Sequence, residues 1–550
     1  MIERNIATFK ENIKGMNKRD AFTKIKSFVE GDECYKGKIL AIYGLRRTGK
    51  TTLMEQVLCE TSIRTDSCVF LEVQDKDTMA DLEKRIIEEQ AKGKTVIVID
   101  EITKASDFIS NSSALSDCFA KEGIKIIIAG TDSLSISFAE EGELYDRICK
   151  VNTTYISFAE HCRVLHTNDM DEYIEFGGLM EKSGDEKIIT DYESMLKYLD
   201  SAVSSNIANS LKNNTYLDER DSSLKELSRS ELRSIVEKIT ELYSGKINKA
   251  ICEEQLKSVM LNKTNYKLLD IADKEVVNTL VMKKKDIAKE FAEIINADEK
   301  ISVYVTPQMI EELERWLKTL NLLSVVEERT FEKTMGSWET FKPVYAYHIV
   351  QPAIKYNHLR KAIEYVEENE KYYSLNERQR EEYMRFLDEK VKENMTEQIV
   401  IFDVMNSLPQ NRYMVCKPKF RINNDTVGEY DMLIYDKYEN KYWGFEIKHS
   451  SNPFNEYDEN GKYIGQDKTL INTEIQEVVE EYYGNRENVS VLYNGKPMIA
   501  ATGTEYYNIS EFLVAVDKYR DMDKAMALLK DSNKRSKATQ KNKQSYFERD

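Results

Sequence analysis

The stretch GLRRTGKTT, Gly44–Thr52, follows the apolar run ILAIY, Ile39–Tyr43, and leads into the helix-forming TTLMEQVL. It fits G-x-x-x-x-G-K-[ST] between a strand and a helix, the setting in which that pattern has a mechanism. Glycines let the backbone wrap closely around phosphate oxygens, and successive N–H groups at a helix N-terminus point at the anion. The predicted nucleotide-binding residues are Gly44, Arg47, Thr48, Gly49, Lys50, Thr51 and Thr52. Lys50 is placed to reach the β- and γ-phosphates, and the Thr51 hydroxyl to ligate Mg²⁺. ATP with Mg²⁺ is the expected cofactor pair.

Outward from this loop the texture is α/β. Short β-rich runs at Ile39–Tyr43, Val69–Val73, Val96–Ile99 and Ile124–Ala129 are apolar throughout rather than alternating. That pattern suits parallel strands buried on both faces. The run TVIVIDEI ends in Asp100 and Glu101. A strand-end aspartate suits Mg²⁺, and an adjacent glutamate can polarise the attacking water. The run IKIIIAG ends at Thr131 and Ser133, where a hydroxyl either senses the γ-phosphate or caps a turn.

Residues 1–36 read as a helical lead-in, with Phe22, Ile25, Phe28 and Val29 at helical spacing. The core is expected over 37–165 and a mostly helical region over 166–365. There Leu232, Ile235, Val236, Ile239 and Leu242 mark one helix face. Thr306 is an expected N-cap with Pro307 at the first helical position. The runs Leu322–Val326 and Val344–Val350 follow as strands, and helices followed by a hairpin suggest a winged helix.

A further domain is expected over 366–520. GEYDMLIY precedes KYWGFEIKHS, so Asp431 lies in one strand while Glu446 and Lys448 lie two apart in the next. Period-two geometry puts Glu446 and Lys448 on one face and Ile447 on the other. Asp431 and Glu446 could then hold Mg²⁺ or Mn²⁺, with the Ile447 carbonyl adding an oxygen and Lys448 activating water. This is the D…ExK arrangement of the PD-(D/E)XK nuclease fold. The last segment, 521–550, is low in apolar residues and locally basic, and reads as a disordered tail.

The chain resembles prokaryotic AAA-type ATPases. The resemblance is carried by Gly44–Thr52, Val96–Glu101, Ile126–Thr131, Leu144-Tyr-Asp-Arg147 ahead of Ile156-Ser-Phe-Ala-Glu160, and YHIVQPAIKY at Tyr347–Tyr356. It implies a multidomain α/β protein: a P-loop parallel-sheet ATPase core, a helical plus winged-helix middle, and a C-terminal α/β nuclease-like domain. It also implies an arginine finger near Arg147, although Asp146 stands where the family commonly has glycine. Glu397 is the implied extra nuclease acid on an early helix, with Gln466 a weaker choice.

Composition narrows the partners. The 550 residues hold 79 Lys+Arg against 96 Asp+Glu, a net charge of −17, which argues against a chain-wide basic surface for nucleic acid. There is no apolar run of about 18 residues and no signal-like N-terminus, so a cytoplasmic protein without a membrane is expected. The eight cysteines and five histidines show no metal-ligand spacing. Two readings follow. One is an ATPase whose nucleotide state gates DNA cleavage by Asp431, Glu446 and Lys448. The other is a nucleotide switch whose nuclease-like domain binds DNA or a partner, or assembles with further copies, without cutting.

Overall fold

The structure is a computed structural model and describes all residues except 32–34, 182–186, 214–221, 261–275, 279–283, 335, 424, 452–464, 466 and 532–550. Gln466 therefore lies outside the described residues.

The first sheet is built from β1 (Ile2–Glu3), β2 (Ile39–Tyr43), β3 (Cys68–Glu72), β4 (Val96–Asp100), β5 (Lys125–Gly130) and β6 (Ile148–Asn152), in the order β1-β3-β4-β5-β2-β6. All neighbours are parallel except β1, which pairs antiparallel with β3. Both faces are covered, as unbroken apolar strands require. Ile39, Ala41, Ile97, Ile99, Ile126 and Ile128 belong to one core, while Leu40, Ile42, Val96, Val98, Ile127 and Ala129 belong to the other.

The lead-in differs from the sequence expectation. Its first residues add β1 to the sheet, and α1 (Ala21–Val29) packs on α2 (Lys50–Glu60), the helix that leaves the P-loop. Phe22, Ile25, Phe28 and Val29 are buried against Leu53, Met54 and Val57. Two non-local contacts thus tie 1–36 into the core it was expected only to precede.

After the sheet come α3 (Phe158–Leu165), α4 (Met170–Phe176), α5 (Tyr192–Leu199) and α6 (Arg229–Ser244). Leu232, Ile235, Val236, Ile239 and Leu242 are buried in α6, whose start is fixed by a Ser228/Glu231 capping box. In α7 (Pro307–Thr319) the Thr306 side chain accepts the Met309 N–H at 3.3 Å, with Pro307 at the first position.

The strand that follows is longer than its sequence run. It is β7 (Leu323–Thr334), joined antiparallel to β8 (Ser337–Thr340) and β9 (Val344–Ile349). Next are α8 (Pro352–Glu364) and the 31-residue α9 (Glu377–Ser407). Then come β10 (Tyr413–Ile422), β11 (Asp425–Glu429), β12 (Met432–Asp436) and β13 (Lys441–Lys448). The chain closes with α10 (Thr473–Tyr483), β14 (Asn485–Tyr493), β15 (Met498–Ile499), β16 (Glu505–Asn508) and α11 (Ile509–Tyr519).

These strands make one ten-stranded sheet, ordered β8-β7-β10-β12-β13-β14-β16-β15, with β9 on β7 and β11 on β10. The joint is a parallel β7–β10 pair running from Glu327↔Cys416 to Lys333↔Ile422. The hairpin after α7 is therefore continuous with the C-terminal sheet, across the expected division at 365/366. Trp443, Phe445 and Ile447 of β13 share one buried core with apolar residues of α9, and Phe445 also meets the Phe512 ring at 5.2 Å.

The tail also differs. Residues 522–531 are helical, and Met522, Ala525, Met526 and Leu529 are buried in the same core. Four apolar positions at helical spacing outweigh the polar composition around them. The rest of the expected disordered tail lies outside the described residues.

Candidate functional sites

The P-loop joins β2 to α2. Gly44 has φ +147°, and a Cβ there would sit 2.5 Å from Thr153 Oγ1, so the close approach to the strand beside it excludes a side chain. Gly49 caps α2 in the left-handed region at φ +83°. Arg47, with φ 63°, shares that region without being glycine. Thr48 is buried, its hydroxyl on the Leu45 carbonyl at 2.9 Å and the Thr153 hydroxyl at 2.7 Å. Thr52 sits half-buried in the first turn of α2.

Lys50 folds back over the loop, its ammonium 2.9 Å from the Gly44 carbonyl and 2.7 Å from that of Leu45. Burial lowers its pKa to about 8 against the upward pull of Glu101 and Asp100. Thr51 Oγ1 donates to Asp100 Oδ2 at 3.1 Å. The two predicted Mg²⁺ ligands are thus already side by side, and their hydroxyl and carboxylate donors fit a hard cation. Burial, then the charge of Glu101, raises Asp100 to about 6. Glu101 follows in the left-handed region, φ 55°, and its Oε2 accepts from Thr131 Oγ1 at 3.2 Å. The residues predicted at three separate strand ends converge because parallel strands deliver their C-terminal ends to one edge.

Arg147 lies at the opposite edge, just before β6, with its carbonyl bonded to the Ile39 N–H at 2.9 Å. Its guanidinium bonds Asp117 at 3.2 Å and the Glu143 carbonyl at 2.8 Å. Any action on a phosphate would be on a neighbouring copy, since the sheet separates it from its own P-loop.

In the second sheet, Asp431, Glu446 and Lys448 do converge. Lys448 Nζ lies 3.1 Å from Glu446 and 3.5 Å from Asp431. Asp431 Oδ2 accepts the Ile447 N–H at 2.7 Å. Both acids are buried. Burial and then Asp431 push Glu446 well above the usual carboxylate value. Burial also acts on Asp431, but Lys448, Lys417 and the Ile447 amide hold it below that value. The Lys448 ammonium stands against both carboxyls and partly balances their charge.

Glu397 of α9 faces the same cluster, paired with Lys417 at 2.5 Å. Burial first, and Asp431 after it, raise Glu397 to about 7. Sequence reasoning missed Lys417. Its signal was the alternation Lys417, Lys419, Arg421 on one side of β10, which reads as an ordinary solvated strand face until α9 covers it. Among the described residues, no group of three or more His, Cys, Asp or Glu is arranged to hold a metal. Two carboxylates still fit Mg²⁺, which keeps several waters and needs one or two protein carboxylates plus substrate oxygens.

Also missed was Arg19, buried beneath the P-loop and paired with Glu160 of α3 through Nε at 2.9 Å and Nη2 at 2.8 Å. Beside Lys448, His449 bonds Thr396 of α9 at 2.8 Å and Asp171 of α4 at 3.0 Å. No helix is long and apolar enough to cross a membrane, among the described residues.

Residues 36–162 match the family model of an AAA domain. No curated protein matches the chain. Among solved structures, C. elegans PCH-2 is similar at 12% identity over 42% of this chain and 70% of that one, with a TM-score of 0.22. The S. cerevisiae Hsp104:casein complex in its extended conformation is similar at 15% identity, over 48% of this chain and 52% of that one, with a TM-score of 0.25. The match thus spans about half of that Hsp104 chain. TM-scores this low establish no shared overall arrangement. The matched segment and the P-loop geometry agree, and the chain carries an AAA-type ATPase domain over residues 36–162.

Proposed function

We propose that the chain is a Mg²⁺-dependent ATPase whose nucleotide state gates DNA phosphodiester cleavage by a PD-(D/E)XK-type centre in its C-terminal region. The ATPase half is supported by Thr51 and Asp100 at 3.1 Å beside Lys50, with Glu101 against Thr131. Lys50 holds the β- and γ-phosphates, Thr51 and Asp100 hold Mg²⁺, and Glu101 polarises the attacking water. The observation that carries the cleavage half is the convergence of Asp431, just ahead of β12, with Glu446 and Lys448 of the adjacent β13. There Asp431 and Glu446 would hold Mg²⁺ or Mn²⁺, which supplies Lewis-acid stabilisation when bound, and Lys448 would orient the water. Glu397, released from Lys417, is the extra acid.

A second reading is a nucleotide switch whose nuclease-like domain only binds. It is favoured by the ion pairing of Lys448 with both acids and by the absence of a three-acid metal group among the described residues.

One experiment tests the ATPase half, and a second separates the two readings. Lys50→Ala should abolish ATP binding or hydrolysis, and tight binding with normal turnover would sink the ATPase reading. Plasmid nicking with Mg²⁺ or Mn²⁺, with and without ATP, should be lost in Glu446→Ala and Lys448→Ala while ATP hydrolysis persists. The same background in wild type and both variants would leave the switch reading in place.

A further inference from the structure

Three consecutive carbonyls of the P-loop are each held from outside by a different element. Tyr198 Oη of α5 donates to the Arg46 carbonyl at 3.0 Å. The Met180 N–H, just beyond α4, donates to the Arg47 carbonyl at 2.8 Å. Arg19 Nη1 donates to the Thr48 carbonyl at 2.6 Å and also to that of Thr153 at 2.8 Å. The remaining Arg19 donors go to Glu160 and to the Tyr155 carbonyl at 3.0 Å, so the whole guanidinium fork is engaged. Arg19 and Tyr198 are both buried.

The consequence follows from peptide geometry. In a trans peptide the C=O and the next N–H point in opposite directions. Turning the carbonyls of Arg46, Arg47 and Thr48 toward these three donors turns the amides of Arg47, Thr48 and Gly49 away from them, toward the inside of the loop. Among the described residues, those three amides donate to no other group. Arg47 at φ 63° and Gly49 at φ 83° give the loop the curled backbone that makes successive amides converge on an anion. Lys50, whose ammonium occupies the Gly44 and Leu45 carbonyls, is free to exchange them for phosphate oxygens without disturbing this frame.

We propose that Arg19 and Tyr198 are positioning residues for the nucleotide, preorganising the P-loop amides for phosphate from outside the matched domain. Arg19, Met180 and Tyr198 all lie beyond residues 36–162. The phosphate site is therefore assembled by the lead-in and by the helices after the sheet as well as by the P-loop itself. Neither residue touches the phosphate. Both act through backbone carbonyls, so their loss weakens phosphate binding and leaves the hydrolytic groups in place.

The inference rests on the nucleotide-binding reading, and the test separates the two. Full-length wild type, Tyr198→Phe and Arg19→Lys are titrated with fluorescent ATP and ADP analogues in Mg²⁺, and with pyrophosphate as competitor. One neutral hydrogen bond lost predicts a Kd about 2–10-fold higher for Tyr198→Phe, and lost charge-assisted bonds predict about 10–100-fold for Arg19→Lys. Pyrophosphate should weaken in parallel, while kcat at saturation stays close to wild type and KM rises. Wild-type Kd values in both variants would overturn the inference while leaving the nucleotide reading standing. A wild type that binds no nucleotide would overturn both. If Arg19→Lys fails to fold, Tyr198→Phe, which removes one oxygen and keeps the ring, decides the matter.

Discussion

Asp403 of α9 accepts the backbone N–H of Phe158, the first residue of α3, at 2.8 Å. The same carboxylate takes the Tyr155 hydroxyl. It stands at the N-terminus of α3, where unpaired amides and the helix dipole favour an acceptor. The helix that carries Glu397 is thus anchored to the segment that leaves the ATPase sheet. Glu160, two residues after Phe158, holds Arg19 beneath the P-loop.

Burial raises Asp403 to about 7, against the Tyr155 and Phe158 donors that lower it. A carboxyl raised in the folded state contributes stability that is present below its ordinary value near 3.8 and is lost as pH rises through about 7. The cost of Asp403→Ala should therefore be larger at pH 5 than at pH 8, by about 2–3 kcal/mol. Hydrogen exchange of the α3 amides in both proteins at both pH values measures this. An equal cost at the two would show that Asp403 does not carry a proton through this range.

Glu101→Gln should keep ATP bound and slow turnover by about 10²–10⁴, the scale of a lost general base, because Thr51 and Asp100 are untouched. Single-turnover hydrolysis and nucleotide retention on a sizing column check it. Unchanged turnover would make Glu101 a partner of Thr131 and nothing more.

A fragment beginning at 366 lacks β7, and with it the parallel partner of β10 from Cys416 to Ile422. It also loses Phe331, whose ring stacks on Phe420 at 5.5 Å. An unpaired, partly apolar strand edge recruits other chains. The fragment should aggregate, while one beginning at 301 should elute as a discrete species. A soluble, cooperatively melting 366–550 fragment would mean that β7 is dispensable to this sheet.

Met526 is 3% exposed in the core beneath α9. Met526→Ala should cost about 2–5 kcal/mol, as large-to-small core changes do. A chain ending at 520 should melt well below one ending at 531. Equal melting temperatures for the two truncations would assign 522–531 no part in the core.

Much of this protein was legible one segment at a time. Apolar runs without alternation imply strands buried on both faces, and Ile39–Ile42 divide between two cores accordingly. The order strand, GLRRTGKTT, helix was legible because the left-handed Gly49 and the helix start after it are local to the backbone. Glu446 and Lys448 share a face because strand geometry repeats every two residues. The Met522–Leu529 spacing was equally local, yet basic neighbours obscured it.

Tertiary structure decided the rest. Nothing around Arg19 marks it as the partner of a carbonyl at Thr48, and Lys417 acquires Glu397 only when α9 crosses β10. The parallel pairing of β7 with β10 joins segments that are far apart in the chain. Local periodicity specifies which side of an element is apolar. Which element covers it, and which buried charge then needs a partner, depends on long-range packing, because a charge becomes costly only once that packing removes its water.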